Sequence, residues 1–139
     1  MKKREYVSKI MATDLITVNT TNTLFDVKEI FETKKVRHLP VVSGNKVIGM
    51  LSKTDFNRAS YGVGQKDIQD KVTDALFHSL KIEDVMTPDP IAVDPETTIH
   101  AVAETFAEHQ FHALPVVKDG EIKGIVTTTD IIKYLLEMY

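Results

Sequence analysis

The chain has 139 residues, 42% of them hydrophobic, with 17 basic and 20 acidic side chains for a net charge of −3, and it has no cysteine. This composition is that of a globular domain and is too apolar for a disordered chain. It excludes disulfides, thiolate metal sites and a cysteine nucleophile, and offers no basic excess that would point to nucleic acid. No apolar run reaches the length of a membrane span, and the opening Met1-Lys2-Lys3-Arg4-Glu5 leads into no signal-peptide stretch. A soluble cytoplasmic protein with no nucleic-acid or membrane partner is expected.

In chain order, Ile16-Thr17-Val18 reads as a short strand. Leu24, Val27, Ile30 and Phe31 follow on one face of a helix, and Thr23 with Asp26 forms a capping-box pattern that places its start. Leu39–Val42 reads as an apolar strand, Ser43-Gly44-Asn45-Lys46 as a turn and Val47–Leu51 as a second strand, before Ser52–Asp55 opens another helix. Tyr61-Gly62-Val63-Gly64 is loop-like. Ile68, Val72, Ala75, Leu76 and Leu80 lie at helical spacing, so Asp67–Leu80 is expected to be an extra helix.

The pattern then repeats. A shift of 75 residues places Met11 on Met86, Val18 on Val93, Phe31 on Phe106, Leu39-Pro40-Val41-Val42 on Leu114-Pro115-Val116-Val117, Gly49 on Gly124 and Thr54-Asp55 on Thr129-Asp130. Across residues 11–55, 15 of 45 positions are identical, where chance gives about 2–3 for ordinary composition. Two copies are too few for a stacked solenoid. A β-α-β-β-α unit occurring twice, closing face to face with pseudo-twofold symmetry, is expected, its last helix running from about Thr128 to Met138.

These residues resemble a tandem pair of CBS (cystathionine β-synthase) domains, a Bateman module. The marks are Val36-Arg37-His38-Leu39-Pro40-Val41-Val42 with Gly49-Met50-Leu51-Ser52-Lys53-Thr54-Asp55, and Phe111-His112-Ala113-Leu114-Pro115-Val116-Val117 with Gly124-Ile125-Val126-Thr127-Thr128-Thr129-Asp130. Ile10-Met11 and Val85-Met86-Thr87-Pro88 resemble the opening of each copy. The resemblance covers about residues 7–139: repeat 1 over 7–60, an inter-repeat loop and helix over 61–81, and repeat 2 over 82–139. It implies an α+β fold in which two small sheets meet, no fused catalytic domain, and clefts that bind AMP, ADP, ATP, S-adenosylmethionine or a dinucleotide. It also implies a homodimer of the small free-standing kind that signals to a partner protein.

A nucleotide presents a flat base, a ribose diol and phosphate charge. An ionised carboxylate accepts from both ribose hydroxyls, which suits Asp55 and Asp130. Ser52 and Thr54, with Thr127 and Thr129, stand where a strand runs into a helix and where N–H groups, hydroxyls and the helix dipole favour phosphate. Helix capping alone also accounts for each such segment taken singly. Arg37, His38 and His112 precede the central strands. By the resemblance they face the clefts and meet phosphate, Arg37 most strongly through its fixed bidentate charge; the alternative places them on a solvated edge. Ala113 stands where the first copy has His38, so the two clefts are expected to differ. The resemblance implies one cleft, the favoured one, from Leu15, Ile16, Arg37, His38, Thr127, Thr129 and Asp130. The other combines Pro90, Ile91 and His112 with Ser52, Thr54 and Asp55.

Rival chemistries find less support. His109-x-x-His112 could set two imidazoles on one helix face but lacks a third ligand. No nucleophile elbow stands out, and Gly62-x-Gly64 is too short for a phosphate fingerprint. Tyr134, Leu135 and Met138 are expected at a helix–helix contact, with the dimer interface as one candidate for it. The expected function is a non-catalytic regulatory module for an adenine nucleotide, with neither metal nor catalytic cofactor. A ligand-free interaction scaffold is the alternative, and nucleotide turnover a third.

Overall fold

A computed structural model describes residues 4–60, 75 and 77–139. The chain divides into two compact units. The first is Ile16–Asp89, and the second joins Met1–Leu15 to Pro90–Tyr139.

The first unit holds a four-stranded sheet in the order β1 (Val18–Asn19), β2 (His38–Ser43), β3 (Lys46–Ser52) and β4 (Thr87–Pro88). β1 runs parallel to β2, and the other neighbours are antiparallel. Helix α1 spans Leu24–Thr33 between β1 and β2, and α2 spans Lys53–Ser60 after β3. The strand predicted at Ile16 is shorter than its apolar run, because parallel pairing begins only at Val18, opposite Val41. The predicted cap is present: the Thr23 side chain accepts from the Asp26 N–H at 3.2 Å, and the Asp26 carboxylate accepts from the Thr23 N–H at 2.9 Å. The turn between β2 and β3 puts Gly44 at φ +64°, which a first central turn residue must adopt for the hairpin to keep its twist.

The second unit repeats this plan in shorter form. β5 (Ala113–Lys118) and β6 (Glu121–Thr127) form an antiparallel hairpin, with α3 (Ile99–Glu108) before it and α4 (Thr128–Glu137) after it. Single bridges stand in for the outer strands: Val93 pairs parallel with Val116 on one edge, and Ala12 antiparallel with Ile125 on the other. The strand predicted at Ile91–Val93 is reduced to that one bridge. Even the irregularities match, since the register slips between Val41 and Val42 and again between Val116 and Val117.

Each core is the same set of positions filled twice. Leu24, Val27, Leu39, Val41, Leu51 and Ile82 are buried in the first unit, and Ile99, Val102, Leu114, Val116, Val126 and Val7 answer them in the second. The first core is also aromatic. Phe56 lies 5.5 Å from both Phe31 and Phe77 between ring centroids. Phe77 comes from the inter-repeat segment, where residues 75 and 77–79 are helical. The predicted helix face named Ala75 and Leu76 and missed this ring. Phe77 is the buried residue and Ala75 is exposed. The rest of the predicted loop and helix, 61–74 and 76, lies outside the described residues.

The openings of the two repeats cross over. A strap of residues 5–12, including a 3-10 turn Val7–Lys9, packs on the second unit. Val7 is fully buried there, and its N–H donates to Thr97 O at 2.7 Å. Ala12 and Ile125 exchange two backbone hydrogen bonds of 2.8 and 3.0 Å. The equivalent strap in front of the second repeat, with its helical turn Ile82–Val85 and β4, packs on the first unit. Each strap lays a methionine over a glycine of the edge strand. A methyl group on Gly49 would stand 2.3 Å from Met86 Sδ; on Gly124 it would stand 2.7 Å from Met11 Sδ and 2.9 Å from the Ala12 carbonyl oxygen.

Two outcomes follow from this packing. Gly124→Ala must push on backbone and should cost about 1–3 kcal/mol in chemical unfolding, with Gly49→Ala at the lower end because the Met86 thioether can swing aside. Hydrogen bonds from the Thr23 N–H first, and then from Asn22, hold the Asp26 carboxyl below the usual carboxylate range. A lowered folded value means that Asp26 supports the fold above the unfolded carboxylate pKa of about 3.9 and loses that support as pH falls through the lowered value. Asp26→Asn should therefore flatten the acid limb of melting temperature against pH.

Candidate functional site

The residues picked out by chemistry gather at two equivalent strand–helix junctions. In the first unit, β3 runs into α2 at Ser52. The Ser52 Oγ accepts from the Asp55 N–H at 3.0 Å, and the Lys53 N–H donates to the Arg37 carbonyl at 2.7 Å. His38 lies directly opposite Ser52 in the β2–β3 pairing. One end of one hairpin therefore collects Arg37, His38, Ser52, Thr54 and Asp55. The helix starts there because a serine can satisfy the N–H three residues on, while the carbonyl before β2 takes the first helical N–H.

In the second unit β6 runs into α4 at Thr127. The Thr128 N–H donates to the His112 carbonyl at 3.0 Å, and Ala113 pairs with Thr127. His112, Thr127, Thr129 and Asp130 are thus collected on the same backbone frame.

The two carboxylates are held differently. Asp130 closes a reciprocal cap: its Oδ2 accepts from the Thr127 N–H at 2.9 Å and from the Thr127 hydroxyl at 3.1 Å, while its own N–H donates to Thr127 Oγ1 at 3.2 Å. Asp55 instead meets Arg58 at 3.5 Å, a pair with side chains 37% and 77% exposed. Arg58 was not among the predicted residues; its position three after Asp55 on a helix is the sequence signal for that contact. The first junction carries the exposed Arg37 beside its hydroxyls, and the second carries His112.

The remaining expected residues sort between the units. Ile16 belongs to the first, and Leu15, Pro90 and Ile91 to the second. Leu15, Ile16 and Pro90 are half-buried and Ile91 is exposed. One reading needs correction. His109 and His112 do not share a helix face, because α3 ends at Glu108 and His109 is already extended, its ring stacked 4.8 Å from Phe111. No group of three metal-ligating side chains occurs among the described residues. In the single chain Leu135 and Met138 are exposed, while Tyr134 packs against the second core.

Comparison with known proteins places this architecture. The CBS domain family model matches twice, over residues 7–62 and 82–137. The chain belongs to the CBS domain family. Among relatives, it is 33% identical over 132 residues to the protein MJ1225 of Methanocaldococcus jannaschii, covering 94% of this chain and 43% of that one. It is 30% identical over 119 residues to an inosine-5'-monophosphate dehydrogenase of Korarchaeum cryptofilum, covering 85% of this chain and 22% of the enzyme. The chain thus spans less than half the length of these relatives. Among solved structures, the CBS-pair protein CBSX2 of Arabidopsis thaliana superposes with a TM-score of 0.82 at 25% identity, covering 98% of this chain and 97% of that one. A structure of CBSX2 in complex with AMP superposes with a TM-score of 0.76 at 26% identity, covering 96% and 98%. No helix among the described residues is long and apolar enough to cross a membrane.

The unequal carboxylates of this CBS pair should separate in stability. Asp130→Ala breaks a reciprocal cap and should cost about 0.5–2 kcal/mol. Asp55→Ala removes only an exposed ion pair and should cost about 0–1 kcal/mol. Urea unfolding of the two variants reads the difference, and equal losses would contradict the geometry.

Proposed function

We propose that this CBS pair is a non-catalytic regulatory module that binds an adenine nucleotide and signals its occupancy to another protein. The observation that carries the reading is the likeness, over nearly the full length of both chains, to a CBS-pair protein in complex with AMP. The chemistry of the junctions supports it. Two hydroxyl-bearing helix starts, each with an aspartate three residues on, suit the phosphate and ribose of a nucleotide. In this reading Asp55 and Asp130 accept from ribose hydroxyls. Ser52, Thr54, Thr127 and Thr129 donate to phosphate, and Arg37, His38 and His112 supply its positive charge. Leu15, Ile16, Pro90 and Ile91 flank the base. AMP, ADP and ATP share the adenosine part and differ where Arg37 acts.

The signal is a change in the conformational equilibrium of the protein, limited to the ligand's differential affinity for the two states. We further propose a cytoplasmic homodimer acting on a separate protein. The scaffold reading and the S-adenosylmethionine or dinucleotide reading are distinguished by one panel.

Melting temperature is measured with AMP, ADP, ATP, S-adenosylmethionine, NAD and GTP at millimolar concentration. A ligand at a hundred times its dissociation constant should stabilise the protein by about 2.7 kcal/mol. Arg37→Ala should reduce the rise for AMP and reduce it further for ATP, and Asp130→Ala should reduce it for every adenosine compound. A response to S-adenosylmethionine alone would reassign the ligand. No response to any compound would leave the scaffold.

A further inference from the structure

The strap of residues 5–12 carries something that its partner lacks. The Tyr134 hydroxyl on α4 donates to Glu5 Oε1 at 3.0 Å, Lys9 Nζ pairs with the other Glu5 oxygen, and Lys9 also lies 5.9 Å from the centre of the Tyr134 ring. At the 75-residue offset the corresponding residues of the first unit are Leu80, Asp84 and Ala59. The first unit therefore cannot make this polar contact, and Leu80 packs on its core instead. Both straps share the apolar part, a buried aliphatic residue and a methionine over a glycine. Among the described residues, the strap of the second unit is the one also pinned to its last helix by titratable side chains.

The pins bracket the second junction. Ala12 is paired with Ile125, two residues before Thr127 on β6, and Glu5 is bonded to Tyr134, four residues beyond Asp130 on α4. The strap holds the strand that leads into the junction and the helix that leads out of it. Beyond Ala12 the chain passes through residues 13–15 directly into the first unit at Ile16. Anything that tightens or loosens the Thr127–Asp130 cap acts on elements that the strap grips.

We propose that residues 5–12 form a latch on the second unit, pinned by Glu5, Lys9 and Tyr134, whose closed state is energetically coupled to the Thr127–Asp130 junction. Linkage requires the coupling to be reciprocal. Closing the cap favours the docked strap, and docking the strap favours the closed cap. That a nucleotide at this junction biases the latch rests on the proposed function; the coupling of cap and strap does not.

The test is amide hydrogen exchange on the full-length protein, first without ligand. Tyr134→Phe deletes one hydrogen bond, and Glu5→Gln deletes the charge that Lys9 pairs with. Each should speed exchange at Val7, Ala12 and Ile125 by about 2–10-fold, the range set by one net hydrogen bond. Each should also speed exchange at Asp130, whose N–H closes the cap. Thr127→Val should conversely speed exchange at Val7 and Ala12. The matching amides of the first unit, Met50 and Thr87, should not change.

The double variant Thr127→Val with Tyr134→Phe should change strap exchange by less than the product of the single effects, because each variant releases the same coupled unit. Strap exchange that ignores Thr127→Val, a product of single effects that holds in the double variant, or acceleration that is equal in both units would overturn the proposal. AMP is added second. If AMP raises the melting temperature, it should slow exchange at Val7 and Ala12, and Tyr134→Phe should weaken its binding by a similar factor. AMP binding that leaves the strap amides untouched would remove the latch from the signalling path. If AMP does not bind, the nucleotide reading fails, while the ligand-free arms still decide the coupling.

Discussion

A two-stranded hairpin has two bare edges, and the fold is organised around closing them. β3 and β6 would each present a row of unpaired N–H and C=O groups, a liability for pairing with other chains. The protein closes each edge with the segment that opens a repeat, taken from the other side of the chain's internal boundary. The glycines at 49 and 124 follow from that closure, since a strap methionine lies where a Cβ would be. So do Val7 and Ile82, which are buried because each strap must contribute an apolar anchor as well as backbone pairing. The unit that repeats along the sequence and the unit that packs in space are consequently cut at different points.

The same closure positions the chemistry. Each closed hairpin runs into a helix that begins at a residue able to cap it. Ser52 and Thr127 satisfy an amide of the next turn, while the carbonyls of Arg37 and His112 take the first helical N–H. Duplication delivered this frame twice, and later divergence altered what it carries. One junction keeps an arginine beside its hydroxyls and leaves its aspartate to a solvated ion pair; the other locks its aspartate into a cap. The two formally equivalent junctions therefore differ in charge and in how each aspartate is held.

The two cores differ in what fills them. The first unit buries Phe56 and borrows Phe77 from the inter-repeat segment, whereas the second has Ile131 at the place of Phe56. The second unit adds polar pins between its strap and α4. Hydrogen bonding to Glu5 raises both the Lys9 ammonium and the Tyr134 phenol above their usual ranges, so both groups keep their protons in the contact. Raised values of this kind support the contact below the ordinary titration of these groups and lose it as pH rises through the folded values.

Local signals in the chain were sufficient for much of this structure. The Thr23–Asp26 cap, the turn at Gly44 and the helix openings at Ser52 and Thr127 depend on neighbours within a few positions, and each was legible, as was the 75-residue repeat, which needs only the chain compared with itself. The motif residues of both junctions were legible too, because strand, cap and aspartate lie within four residues of one another. What the sequence could not show was which repeat each strap serves. Val7-x-x-Ile10-Met11 and Ile82-x-x-Val85-Met86 have the same pattern, so nothing local tells one edge from the other. The burial of Phe77 over Ala75 and the end of α3 before His109 were hidden for the same reason. Periodicity reports which side chains share a face, and only the tertiary fold decides what that face meets.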